Sequence, residues 1–274
     1  MLVDGVLLTA ERRIIVEKDI KQLLLELRTG KAGLTKDYFI CFCKLIVFTK
    51  LRPVTVLEAF QAAALTVDRD INAVCDFILE ARDWALQLET VPETERGALY
   101  GLPFSVKVMT PYFIIKKTFL KPAVSTQECF YVAGYDSTMG LAQLIDRPAT
   151  KDGSFVVGMK EQHAVPFCLT NIPQTMVSWS CSNPVYGNTL NPHDHSRTPG
   201  GSSGGEAALI AGGGSVLGLG SDIGGSLRIP AHFSGTCGLK PTNGRLYEDG
   251  RRGAVGAGMG SLRHSPATRA CGCL

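Results

Sequence analysis

Glycine is spread very unevenly along this chain. Of 30 glycines, 19 lie between Gly200 and Gly260. From Pro199 to Thr242 they alternate with serines and short apolar runs: PGGSSGGEAALIAGGGSVLGLGSDIGGSLRIPAHFSGTCGLKPT. Glycine at that density marks backbone that must turn tightly or approach a neighbour closely. The other elements must therefore be arranged around this stretch.

The flanking sequence alternates between helix and strand periods. Residues 16–29 place Ile20, Leu23, Leu24 and Leu27 on one helical face, and Gly30 ends the run. Thr55 and Glu58 have capping-box spacing, which predicts a second helix starting at Thr55, with Leu57, Phe60, Ala64 and Val67 inward. A third helix is expected over 78–90. After Gly101-Leu-Pro, the residues Phe104, Val106 and Val108 alternate with Ser105, Lys107 and Met109. That is strand period, and it puts Lys107 on the face opposite Phe104 and Val106. Residues 164–170 read as another strand, with Pro166 at its start or on a sheet edge. Within the glycine-rich stretch, 206–211 reads as a short helix, 216–219 as a buried strand and 220–226 as a loop. Helices alternating with strands predict an α/β fold.

Composition narrows the function. A chain of 274 residues holds one large domain or two small ones. It is 45% apolar and 19% charged, the balance of a globular protein rather than a disordered tail. A net charge of +3 makes no case for nucleic acid. No apolar run approaches the ~18 residues of a membrane span, and Met1–Ala10 lacks the basic segment of a signal peptide. Nine cysteines without a CxxC pair read as reduced thiols in a cytosolic or cytosol-facing protein. His193 and His195 lack a second ligand pair, so no metal site is expected.

Three chemistries compete for the glycine-serine segment. A phosphate loop would need Gly-Lys-Ser/Thr, which is missing, and Gly218-x-Gly220 runs on to Ile223 instead of a third glycine. Gly201-x-Ser203-x-Gly205 matches a nucleophile elbow in letters, but a loop precedes it where a strand is required. The third reading uses two serines and a lysine. GGSSGG, a helix, GSDIGGSLRIP and GLKPT, with Gly101-Leu-Pro-Phe-Ser-Val-Lys107 upstream, resemble the amidase signature family. Asn171–Gly187 and Tyr135-Asp-Ser-Thr-Met-Gly140 look like its fatty-acid amide hydrolase branch.

The resemblance implies a mixed twisted sheet flanked by helices, with N-terminal helices ahead of it. It implies Ser226 as nucleophile, Ser202 as bridging serine and Lys107 as base, with a cis peptide bond before Ser202. Backbone N–H groups of Ile223, Gly224, Gly225 and Ser226 would hold the oxyanion. Met176, with Val177, would line the acyl channel. Ser203, Asp222 and Arg228 would support the loop through hydrogen bonds. No metal or organic cofactor is implied. The implied partner is a small lipid amide, with no nucleic acid. Contact with a membrane surface and a homodimer are both compatible with the resemblance, in the cytoplasm or on the cytosolic side of a membrane. Aryl or small-amide hydrolysis, an amidotransferase subunit and an inactive fragment are the alternatives.

Residues 16–95 read as the N-terminal helical part and 98–260 as the signature core. Two blocks, 32–50 and 108–127, depart from the family pattern. Phe, Ile, Lys and Tyr make up 17 of their 39 residues, as expected of retained intron sequence. They also carry six lysines against Asp37, so the rest of the chain has a net charge of 3 − 5 = −2. The segment 261–274 is an atypical tail, and the family's C-terminal half is expected to be missing.

Overall fold

The computed structural model describes residues 10–18, 20–29, 51–108 and 130–242. In chain order their elements are α1 (Ala10–Val16), α2 (Ile20–Thr29), α3 (Pro53–Ile71), β1 (Val74–Phe77), α4 (Ala81–Leu88), β2 (Pro103–Lys107), α5 (Ser154–Glu161), β3 (Val165–Thr170), β4 (Ser182–Asn183), β5 (Gly187–Asn188), α6 (Gly204–Ala211), β6 (Gly218–Leu219) and α7 (Arg228–Ser234). Four strands form one mixed sheet in the order β1-β3-β2-β6. β2 runs parallel to β3 and β6, and β1 is antiparallel to β3. β4 and β5 form a separate small hairpin.

Every residue of β2 and β3 is buried, so both faces of the sheet centre are covered. That is the expected environment of parallel strands. Phe104, Val106 and Phe167 join Leu23 and Leu27 of α2 and Leu57, Phe60 and Ala64 of α3 in one core. α3 packs against α1, α4 and α6 and reaches β2 and β3. Pro166 lies at the start of β3, ahead of Cys168–Thr170, the only part that β1 pairs. Its missing N–H therefore costs no bond to β1.

The α/β class and the face assigned to Lys107 hold, while several boundaries move. α3 starts at Pro53, with Arg52 as N-cap and no side-chain capping bond. Proline's fixed φ suits the first helical position, and it overrides the Thr55–Glu58 box. Glu58 instead faces Arg12 at 3.3 Å and Arg82 at 3.7 Å. The third helix begins only at Ala81, because 74–77 form β1. α6 starts two residues earlier than expected, and β6 is only two residues long.

The block 32–50, residues 109–127 and the tail 261–274 lie outside the described residues. Val108, the first residue of the second block, continues the ladder: its N–H donates to Thr170 O at 3.3 Å and its side chain is buried. Among the described residues, no helix is long and apolar enough to cross a membrane. Cys75, Cys168, Cys181 and Cys237 are free thiols.

Two glycines give a paired test of the packing. A Cβ on Gly205 would sit 2.5 Å from Asn171 O and 2.8 Å from Ala73 O, so α6 and the end of β3 are closer than any side chain permits. Gly158, inside α5, has open space around it. Gly205→Ala should destabilise by about 1–3 kcal/mol, as overpacking does. Gly158→Ala should stabilise by about 0.5–1 kcal/mol. Urea denaturation of both variants checks the pair.

Candidate active site

Lys107 ends β2 with no solvent exposure. Its Nζ donates to Ser202 Oγ at 2.8 Å and to Ser221 Oγ at 2.9 Å. Burial pushes its pKa down to about 7, against the opposing pull of Cys181, Asp222 and Glu206. A lysine ordinarily titrates far above this, because water stabilises its ammonium. Near neutral pH this amine exists partly uncharged, and an uncharged amine has a lone pair that can accept a hydroxyl proton.

Ser202 follows a cis peptide bond from Gly201. A Cβ at Gly201 would stand 2.6 Å from Ser178 O and 2.7 Å from Ser180 O, so only glycine fits beside that loop. α6 begins two residues after Ser202, and Ser203 is its N-cap residue. Ser203 is fully buried; its N–H donates to Ser226 O at 3.0 Å and its Oγ donates to Ser221 O at 3.4 Å. One residue thus ties the Ser202 segment to the 220–226 loop at two points.

Asp222 organises that loop. Its buried carboxylate accepts from Arg228 Nε at 2.9 Å and from Arg228 Nη2 at 2.8 Å. It also accepts the N–H groups of Gly225, Leu227 and Arg228, at 2.8, 3.1 and 3.2 Å. Burial by itself would raise its pKa, but the guanidinium and the three N–H groups outweigh burial and hold it below the usual carboxylate range.

These bonds alter the expected oxyanion donors. The Gly225 N–H is already committed to Asp222 Oδ1, because the carboxylate sits inside the turn. Among the described residues, the N–H groups of Ile223, Gly224 and Ser226 have no protein acceptor. Ile223 and Gly224 are exposed and Ser226 is half-buried. Ser226 Oγ makes no hydrogen bond among the described residues, so Lys107 and Ser202 are joined by their side chains, while Ser226 is tied only to the neighbouring Ser203, through its carbonyl O. Met176 ends a short turn and packs half-buried against the core, while Val177 is exposed.

Two groups near Lys107 escaped the sequence reading. Ser221 is its second hydrogen-bond partner. Glu206, fully buried, accepts from Ser105 Oγ at 2.5 Å and Thr170 Oγ1 at 2.8 Å. Burial raises its pKa to about 8, against the lowering effect of those bonds and of Lys107. A signal for Glu206 was available: it is the single charged residue of the helix GGEAALIA.

The chain belongs to the amidase family, whose model matches residues 123–269. It is 44% identical over 201 residues to the Vitamin D3 hydroxylase-associated protein of Gallus gallus, covering 73% of this chain and 38% of that protein. It is also 44% identical over 206 residues to Fatty-acid amide hydrolase 1 of Sus scrofa, covering 75% of this chain and 31% of the relative. A solved Fatty acid amide hydrolase superposes with a TM-score of 0.70 at 25% identity, covering 93% of this chain and 38% of the other. The chain thus spans about a third of the length of the curated relatives it matches.

Asp222 supplies a test of the loop. Asp222→Asn should cost about 3 kcal/mol, the low end for breaking a buried ion pair, because Arg228 stays partly hydrated. The wild-type carboxyl titrates below its unfolded value, so its stabilisation is present above about pH 4 and is lost as the pH falls further. Thermal unfolding of wild type and variant from pH 7 to pH 2 should show the two converging in acid.

Proposed function

We propose that this chain is an amide hydrolase acting on fatty-acid amides through an acyl-enzyme on Ser226. The observation that carries the reading is the buried Lys107 amine, 2.8 Å from Ser202 Oγ, with the Ser203 N–H tied to Ser226 O. A serine hydroxyl is a weak nucleophile until a neighbouring base takes its proton. Uncharged Lys107 takes the proton of Ser202 as Ser202 takes that of Ser226, and Ser226 Oγ attacks the amide carbonyl carbon. The N–H groups of Ile223, Gly224 and Ser226 receive the developing oxyanion. One such donor lowers the barrier by about 3–4 kcal/mol. The proton then returns through Ser202 to the amide nitrogen, the C–N bond breaks, and amine or ammonia leaves. Water repeats the relay on the ester and releases the carboxylic acid.

The acyl class rests on surface chemistry and on the names of the relatives. Val177, Trp179 and Ile223 are 85%, 65% and 56% exposed. Ile223 belongs to the loop that holds Ser226, and the backbone around Trp179 packs on Gly201. Apolar side chains held in water beside the serines favour an alkyl chain over a small polar amide. Two of the matched proteins are named as fatty-acid amide hydrolases.

A fluorophosphonate probe with peptide mapping tests the nucleophile. Wild type should label on Ser226, and Ser226→Ala should not. Lys107→Ala should slow labelling by about 10²–10⁴-fold, the usual share of a general base. The base must be uncharged, so the labelling rate should rise through about pH 7 and level off above it. Faster turnover of oleamide than of acetamide supports the acyl class; the reverse order overturns it. Labelling of a folded Ser226→Ala at the wild-type rate overturns the nucleophile assignment.

A further inference from the structure

We propose that Glu206 is a positioning residue that sets the distance between Lys107 and Ser202 by clamping α6 to β2 and β3. The inference rests on the reading of Lys107 and Ser202 as the proton relay. Ser105 lies two residues before Lys107 and shares its face of β2. Thr170 is the residue that pairs with Lys107 on β3. Both donate to the Glu206 carboxyl, at 2.5 and 2.8 Å. Glu206 lies four residues after Ser202, in the first turn of α6. The clamp therefore grips β2 just before the lysine and β3 beside it, and it grips α6 in the turn that follows the serine.

The carboxyl is also wedged from below. A Cβ on Gly218 would overlap Glu206 Oε2, so β6 gives up a side chain to admit it. Gly218 pairs with Ser105 in the register of β2 and β6. Ser105 Oγ lies 2.9 Å from Ser215 Oγ and 3.3 Å from Leu217 O, so a second acceptor is ready whenever Ser105 itself receives a proton from the acid. All three strands around Lys107 thus touch one side chain. The ionisable groups facing Glu206 are Lys107 on β2, Cys168 on β3 and Cys75 on β1. Among the described residues, Lys107 is the one charged group that acts on it. A side chain with hydroxyl partners alone suits a clamp that works uncharged.

Glu206→Gln keeps both contacts, since its amide can donate to Ser105 and accept from Thr170. Glu206→Ala removes both and leaves a space. The full chain is tested in both forms, with folding followed by circular dichroism. Fluorophosphonate labelling of Ser226 should be at least about tenfold slower in Glu206→Ala and within about threefold of wild type in Glu206→Gln. Water entering the space re-solvates the amine, so the rise in labelling rate should move to higher pH in Glu206→Ala but not in Glu206→Gln. Acetylation of Lys107 by acetic anhydride, read by peptide mass spectrometry, needs no catalysis. Lys107 should be protected in wild type and Glu206→Gln and several-fold more reactive in Glu206→Ala.

Folded Glu206→Ala with the wild-type labelling rate, pH profile and Lys107 protection overturns the clamp. So does a Glu206→Gln as impaired as Glu206→Ala. Wild type that fails to label while Lys107 still responds to Glu206→Ala overturns the relay reading and leaves the clamp standing.

Discussion

Keeping a lysine amine out of water is the demand that shapes this fold. An ammonium loses far more on burial than two neutral hydroxyls return, so the amine stays inside only by giving up part of its affinity for a proton. The exclusion of water requires cover on both faces of the sheet, and β2 and β3 are buried at every position. It also requires that the polar atoms around Nζ be hydrogen-bonded, which Ser202 and Ser221 accomplish from one side. The glycine cluster follows from the same demand. Backbone segments carrying Ser202, Ser221 and Ser226 converge on one strand end, and side chains along them would hold them apart.

The two carboxyl groups near the lysine show how surroundings divide like residues. Asp222 and Glu206 are both fully buried. Asp222 has a bidentate guanidinium and three backbone N–H groups, and it stays ionised. Glu206 has two hydroxyls, and its proton affinity rises. The negative charge therefore sits in the loop, where it fixes backbone geometry, while the sheet side of the amine stays close to neutral. A second fixed negative charge there would hold the proton on Lys107 and work against its proposed use as a base.

Much of this was legible in the sequence, and the misses have physical causes. Period-two alternation over 104–108 located β2 and the face of Lys107, because each strand residue's side is fixed by its neighbours. The glycine-serine motif located Ser202 and the Asp222 loop, because close backbone approach leaves a local record in composition. Contacts between distant residues leave none: Ser105 and Glu206 are 101 residues apart, and neither shows the other in its own surroundings. β1 escaped because four residues at a sheet edge, three half-buried and one exposed, carry little periodicity; its register is set by β3. At α3, two local signals competed, and the rigid ring of Pro53 prevailed over the hydroxyl of Thr55. The Gly225 N–H was misjudged for a similar reason, since nothing local shows that the Asp222 carboxylate folds back into its own turn.

Burial of the groups proposed to react also constrains where substrate selection can reside. Lys107 and Ser202 have almost no exposed surface, so they present nothing by which one acyl chain could be told from another. Discrimination by an apolar pocket comes from contact area, and each methylene is worth only about 1–3 kcal/mol. In the proposed reaction that area must come from side chains around the half-buried Ser226; Ile223 lies three residues before it and the Trp179 backbone adjoins Gly201, and both side chains are exposed. In the proposed reaction, proton transfer and chain recognition thus fall to separate layers of the same site. The inner layer is fixed by hydrogen bonds with partners far apart in sequence. The outer layer can change its apolar side chains without disturbing the amine beneath it.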